Sequence, residues 1–161
     1  MNQELGYNCD HQAKIIAGKA MVNWGSQYGC TILTSMTTGT TDRLDLFYTA
    51  ITPSHKLRYG MVEVKERPTT QPGKYPNEFV NREKLENEEV RDYLKSGYTY
   101  LWCCVYTNYD QYIIWDTSDT VRTADTRFFK RKTVEDTPVV RQTRWHLDFN
   151  RAKIKGKISE L

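Results

Sequence analysis

The sequence predicts an α/β domain built on a mixed β-sheet flanked by helices. Three observations carry that expectation. A helical stripe of apolar residues opens the chain, three β-branched or alternating segments follow it, and a second helical segment then separates these from two strongly apolar strands. A helix inserted between two strands favours a parallel pair there, because a parallel connection has to cross back over the sheet. At 161 residues the chain is most simply one domain. By size scaling such a domain buries roughly 70% of its unfolded surface.

The first element is expected from about Asp10 to Trp24. Ala13, Ile16, Ala17, Ala20, Met21 and Trp24 fall at offsets that line one face of a helix, and Ile15 and Val22 widen that face. Asn8 or Asp10 is placed to cap its start, and Gly25 to supply a left-handed residue at its end. The β-branched run from Cys30 to Thr38 reads as the first strand, Arg43 to Ile51 as the second, Pro53 to Lys56 as a turn, and Leu57 to Glu66 as the third strand. Pro68, Pro72 and Pro76 with Gly73 exclude a regular element and predict a loop. A second helix is expected from a cap at Asn77 or Asn81 to about Ser96, with Gly97 after it. The run from Tyr98 to Thr107 is nearly all apolar, as a central strand buried on both faces would be, and Gln111 to Asp116 reads as its neighbour. Beyond Asp116 the chain is polar, basic and less regular, an extension over 117–161. Further strands are expected there near Val139 to Leu147 and Phe149 to Ile158.

Composition narrows the chemistry. Hydrophobic residues make up 39% and charged ones 27%, the profile of a globular chain on the polar side. No apolar run reaches the ~18 residues of a membrane span, and the first dozen residues lack the basic start and apolar centre of a signal peptide, so a cytoplasmic protein is expected. The four cysteines, Cys9, Cys30, Cys103 and Cys104, form no CxxC pair, and Cys9, His11 and Cys30 fit no zinc-finger spacing. His11, His55 and His146 are too scattered for histidine catalysis, and no Ser-His-Asp pattern is present. The aromatic residues from 98 to 115 read as sheet core rather than as a platform for bases. The net charge is only +3, but Lys130, Arg131, Lys132, Arg141, Arg144, Arg151, Lys153, Lys155 and Lys157 concentrate positive charge in the last third, either a phosphate-contacting or simply a solvated face.

The chemistry-bearing stretch is the hairpin of the second and third strands. Strand alternation puts Glu63 and Lys65 on one face, with Val62 and Val64 on the other. A hairpin closing through Thr52–Lys56 sets Asp45 opposite residues 63 to 65 and Asp42 further out, toward Arg67. Asp45 is therefore favoured, with Asp42 in reserve. Two facing carboxylates repel, and a hard divalent cation such as Mg²⁺ relieves that repulsion, using carboxylates, waters and phosphate oxygens. The Val64 carbonyl is a further candidate ligand. A lysine alongside can orient an attacking water and balance charge on phosphorus. The alternative is a cross-strand ion pair facing solvent.

Those residues resemble the core of the PD-(D/E)xK nuclease superfamily, the restriction-endonuclease-like fold of many restriction enzymes, resolvases and phage exonucleases. The matching residues are Asp45 and Glu63-Val64-Lys65, and the α-β-β-β-α-β element order over about residues 10–116 is similar as well. The resemblance implies a metal-dependent deoxyribonuclease that hydrolyses DNA phosphodiester bonds with a metal-activated water, using Mg²⁺ or Mn²⁺. It makes Asp45 and Glu63 metal ligands and Lys65 the catalytic lysine. Arg67 and Lys84 are candidates for substrate phosphates, and a homo-oligomer is compatible with the sequence. The chain departs from the pattern in three places. Leu44 stands where the motif has proline; where such enzymes often carry a glutamate on the first helix, only Glu4, before the helix, or Gln12 is available; and the second helix offers Glu78 or Lys84 without a firm match. A catalytically silent relative, binding nucleic acid or a protein, is the second expectation.

Overall fold

The computed structural model describes residues 3–37, 44–75, 77–80, 82–123, 128–129, 140–141 and 144–161, with the side chains of residues 3–10, 82, 121–123, 128–129, 140–141 and 144 left aside. The first helix, α1 (Gln3–Gln27), lays Ala13, Ala17, Ala20 and Met21 against the sheet with no exposure at all. Alanines on that face bring the helix axis close to the strands. The helix is longer at both ends than the apolar stripe predicted. It begins at Gln3, so Asn8 and Asp10 are helical rather than capping, and it passes through Gly25. Gly29, at φ +70°, supplies the left-handed residue, while Gly25 admits Ile32, whose side chain would lie 2.6 Å from a Cβ placed there. Val22 is 46% exposed and does not widen the buried face.

Three antiparallel strands follow: β1 (Thr31–Met36), β2 (Leu46–Ile51) and β3 (Leu57–Glu66). The turn between β2 and β3 is closed by Thr52 N–H donating to the Lys56 carbonyl at 2.9 Å. Where a helix was expected from Asn77 the chain forms a short strand, β4 (Asn77–Val80), then α2 (Arg82–Glu86) and α3 (Glu88–Lys95). Asn87 divides the two helices and caps the second, its side chain accepting from Glu89 N–H at 2.8 Å. Asn81 lies outside the described residues. Gly97, at φ +87°, ends the segment as its position predicted.

The central strand β5 (Thr99–Tyr106) pairs in parallel with β3 and antiparallel with β6 (Gln111–Asp116). Seven consecutive residues of β5, Tyr100 to Tyr106, are buried, as the apolar run predicted. The chain after Asp116 supplies β7 (Val121–Thr123), the short β8 (Phe128–Phe129) and β9 (Val140–Arg141), then β10 (Arg144–Asp148) and β11 (Ile154–Lys157). Strand β11 returns to β6 and completes a six-stranded mixed sheet of order β1-β2-β3-β5-β6-β11. A second sheet, β4-β10-β7, is built from the crossover and the last third of the chain.

The main sheet separates two cores. On one face Leu46, Val62, Val64, Leu101, Cys103, Val105 and Ile114 pack under α1. On the other, Trp102, Cys104, Tyr106, Ile113 and Trp115 meet Val80 and Leu147 of the second sheet, and Met61 and Tyr100 meet Val90 of α3. No helix among the described residues is long and apolar enough to cross a membrane.

Candidate functional site

The site forms where β2 and β3 part. Their ladder ends at the Leu46–Val62 pair, and continuing that register puts Asp45 opposite Glu63. The antiparallel bonding does not continue. The Asp45 side chain enters the opening instead, and its Oδ2 accepts from the Val64 N–H at 2.8 Å. In a strand the N–H and C=O of one residue point to the same edge, so the Val64 carbonyl faces the same opening. From the α1 side of the sheet, Lys14 Nζ reaches Asp45 Oδ1 at 3.3 Å. Asp42 lies outside the described residues.

Glu63 projects from the opposite face and is only 1% exposed. Two ammonium groups converge on its Oε1, Lys65 Nζ at 2.7 Å and Lys84 Nζ at 3.0 Å. Its Oε2 is buried with no hydrogen-bond partner. A buried carboxylate oxygen left without a donor is costly, so this oxygen is a candidate position for a positive ligand. The two lysines come from different elements, β3 and α2, which is why the crossover matters to the site. The Lys65 ammonium also sits 5.5 Å from the centre of the Trp102 ring. The side chains of Lys65 and Lys84 are 31% and 32% exposed, against 2% for Glu63. An anion arriving from solvent meets the ammonium groups first, with the carboxylate beneath them.

Tyr100, on β5, lies within electrostatic reach of both acids. Burial raises its phenol pKa first, and the Glu63 and Asp45 charges raise it further, so the phenol stays protonated. Its hydroxyl is also buried without a hydrogen-bond partner. Arg67, just past the end of β3, is tied to Glu78 of β4 by an N–O contact of 2.6 Å.

The structure thus ties Asp45 to Val64 and Lys14, and Glu63, the residue before Val64, to Lys65 and Lys84, while Arg67 sits in its own ion pair with Glu78. Lys14 and Tyr100 were not anticipated as site residues. Gln12, the first-helix candidate, is exposed, while Lys14, two residues on, turns inward. Lys14 is a charged residue among the small apolar residues of α1, a legible anomaly. Tyr100 is hidden in an apolar run and carries no comparable mark.

The donor set fits a hard cation in kind: two carboxylates, one with a bare buried oxygen, and a backbone carbonyl. Among the described residues no group of three or more His, Cys, Asp or Glu side chains is gathered closely enough to hold a metal, so such an ion would rest on the two acids, the carbonyl and water. Fold and site together define a mixed α/β protein with a buried acid–lysine centre at a strand opening. Comparison with protein-family models, with curated proteins and with solved structures finds no match to this chain.

Proposed function

We propose that this protein is a divalent-metal-dependent nuclease, with a restriction-endonuclease-like core, that hydrolyses DNA phosphodiester bonds. The observation that carries the reading is Glu63, buried with Oε2 unpartnered beneath two lysines and set across from Asp45 where β2 and β3 separate. Asp45, Glu63 and the Val64 carbonyl are the residues that would hold Mg²⁺ or Mn²⁺. The ion supplies water activation and offsets charge on phosphorus.

The chain's own residues supply the rest. Lys65, steadied by Glu63 and by the Trp102 ring, holds its ammonium where a phosphate oxygen and the attacking water can meet it. Lys84 adds a second ammonium from α2 and binds the substrate phosphate. Arg67 offers the guanidinium edges that Glu78 leaves unused to the next phosphate along. Asp45, locked to the Val64 N–H, fixes the opening between the strands.

The test is cleavage of single- and double-stranded DNA, and of RNA, with Mg²⁺, with Mn²⁺ and with chelator, beside Glu63→Gln and Lys65→Ala. DNA cleavage that requires the ion and is lost in both variants is the expected result. Cleavage that persists in both variants removes these residues from the mechanism.

A second reading, a silent nuclease-like module, is favoured by one specific feature: the lysines already neutralise the acids without any metal. It predicts ion-independent nucleic-acid binding, weakened by Lys65→Ala and Lys84→Ala, with no cleavage.

A further inference from the structure

Lys14 occupies the position from which it can decide how well a cation binds. It is 8% exposed, it comes from α1 on the face opposite Glu63, and its ammonium contacts Asp45 Oδ1 at 3.3 Å. The other Asp45 oxygen is committed to a backbone N–H, which cannot swing away without opening β3. Oδ1 is thus the Asp45 oxygen with the more capacity left for an ion shared with Glu63, and there the ion meets the Lys14 charge.

The lysine has somewhere to go. A cavity of about 560 Å³ lies between α1 and the first two strands, lined in part by Lys14, Gly18, Val22, Thr34, Leu46 and Leu161. At Gly18 the wall has room for a methyl group, since a Cβ there would meet Thr34 at 3.5 Å and Leu46 at 3.6 Å.

We infer that Lys14 is a built-in competitor for the divalent cation at Asp45, holding Oδ1 in the metal-free protein and withdrawing along α1 when the ion binds. The inference rests on the reading of Asp45 and Glu63 as cation ligands. Lys14 thereby keeps the metal-free acids from repelling one another and lowers the affinity of the site for its ion. Ion binding and the Lys14–Asp45 pair compete for one oxygen and set two positive charges against each other, so their free energies are coupled.

The test is Mn²⁺ titration by calorimetry on the whole chain, comparing wild type with Lys14→Met, Lys14→Arg, Glu63→Gln and the Lys14→Met/Glu63→Gln double variant. Methionine keeps the length of the stem and removes the charge, and arginine keeps the charge. The expected result is Mn²⁺ binding about tenfold tighter in Lys14→Met, a size typical of coupled sites, with Lys14→Arg close to wild type. Glu63→Gln is expected to weaken binding in either background. Equal or weaker binding in Lys14→Met overturns the role of Lys14 and leaves the metal reading standing. Binding that Glu63→Gln does not change in either background places the ion elsewhere and overturns both, as does absence of Mn²⁺ binding from wild type and Lys14→Met alike. Thermal unfolding of the same variants guards against a folding defect. The rise in Tm on adding Mn²⁺ is expected to be larger for Lys14→Met than for wild type, and a smaller or equal rise counts against the inference.

Discussion

Asp45 Oδ2 takes the Val64 N–H at 2.8 Å, and this one contact stands in for the next rung of the β2–β3 ladder. A side chain has replaced a backbone partner, so the two strands can separate without leaving that donor bare. The separation is what lets Lys14 approach from one face of the sheet while Glu63 sits on the other.

Asp45→Ala removes two things at once. It strands the Val64 N–H and leaves the largely buried Lys14 ammonium without this carboxylate. Breaking such a pair from one side costs about 3 kcal/mol or more. Asp45→Asn keeps an oxygen for the N–H, so its cost is expected to be smaller by about 1–2 kcal/mol, the worth of a hydrogen bond to a buried donor. Urea unfolding of the two variants beside wild type measures the difference. Equal losses would show that the Val64 contact contributes nothing.

Burial alone pushes the Cys103 thiol up to about 12, while burial first and then the Glu78 charge carry Cys104 well above its ordinary value. At pH 8 the thiolate fraction at Cys103 is then roughly one in ten thousand, and the thiolate is the reactive form. Iodoacetamide at that pH is expected to modify the half-buried Cys30 in the native protein and to spare Cys103 and Cys104 until denaturant is added. Peptide mapping by mass spectrometry reads the outcome. Rapid native labelling of Cys104 would mean that the core between the two sheets opens.

The C-terminal turn is fastened to the β5–β6 connection by Asp110, which accepts from the Ser159 hydroxyl at 2.6 Å and from the Ser159 N–H at 2.8 Å. The side-chain bond, then the backbone one, lowers the Asp110 pKa below its ordinary 3.8. A depressed folded-state pKa means that the contribution is present above the ordinary value and lost as pH falls through the lower, folded one. Amide exchange at Ser159 is therefore expected to stay protected at pH 5 and to lose its extra protection well below pH 3.8. Asp110→Asn should show much of that loss already at pH 5. Protection that is unchanged in the variant would remove Asp110 as the fastening.

Much of the main sheet was legible because its strands obey simple local rules. The limits of β3 follow from the turn before it and the proline-rich loop after it, and the burial of β5 from an unbroken apolar run. Register counting favours Asp45 over Asp42, and the Asp45 carboxylate reaches the β3 backbone; Asp42 lies outside the described residues. The misreadings were tertiary in origin. Gly25 looks like a helix stop but serves close packing on Ile32, a contact no local pattern encodes. Asn77 looks like a helix cap, yet pairing with β10, some seventy residues away, draws its segment into a strand. Lys84 had no firm match from sequence, because its tie to Glu63 depends on where the crossover sets α2. On the first helix, where the resemblance implies an acid, the chain has placed a base, Lys14.

Lys65 and Lys84 share one oxygen of Glu63, and that sharing predicts how their loss combines. If the site cleaves DNA, Lys65→Ala removes the ammonium nearest the attacking water and is expected to lower kcat about 100- to 1000-fold, as loss of a charge-stabilising group does. Lys84→Ala is expected to act mainly on KM, by about tenfold, because a phosphate-binding lysine contributes to ground and transition states alike. Each remaining lysine still holds Glu63, so either single loss leaves the carboxylate paired. The double variant strips both charges from a buried acid and is expected to fall further than the product of the single effects, the signature of coupling within one network. Steady-state kinetics on the four proteins, with Mg²⁺ held saturating for each, measures the cycle. Strict additivity would mean that the two lysines act at separate places on the substrate and that their shared oxygen is incidental.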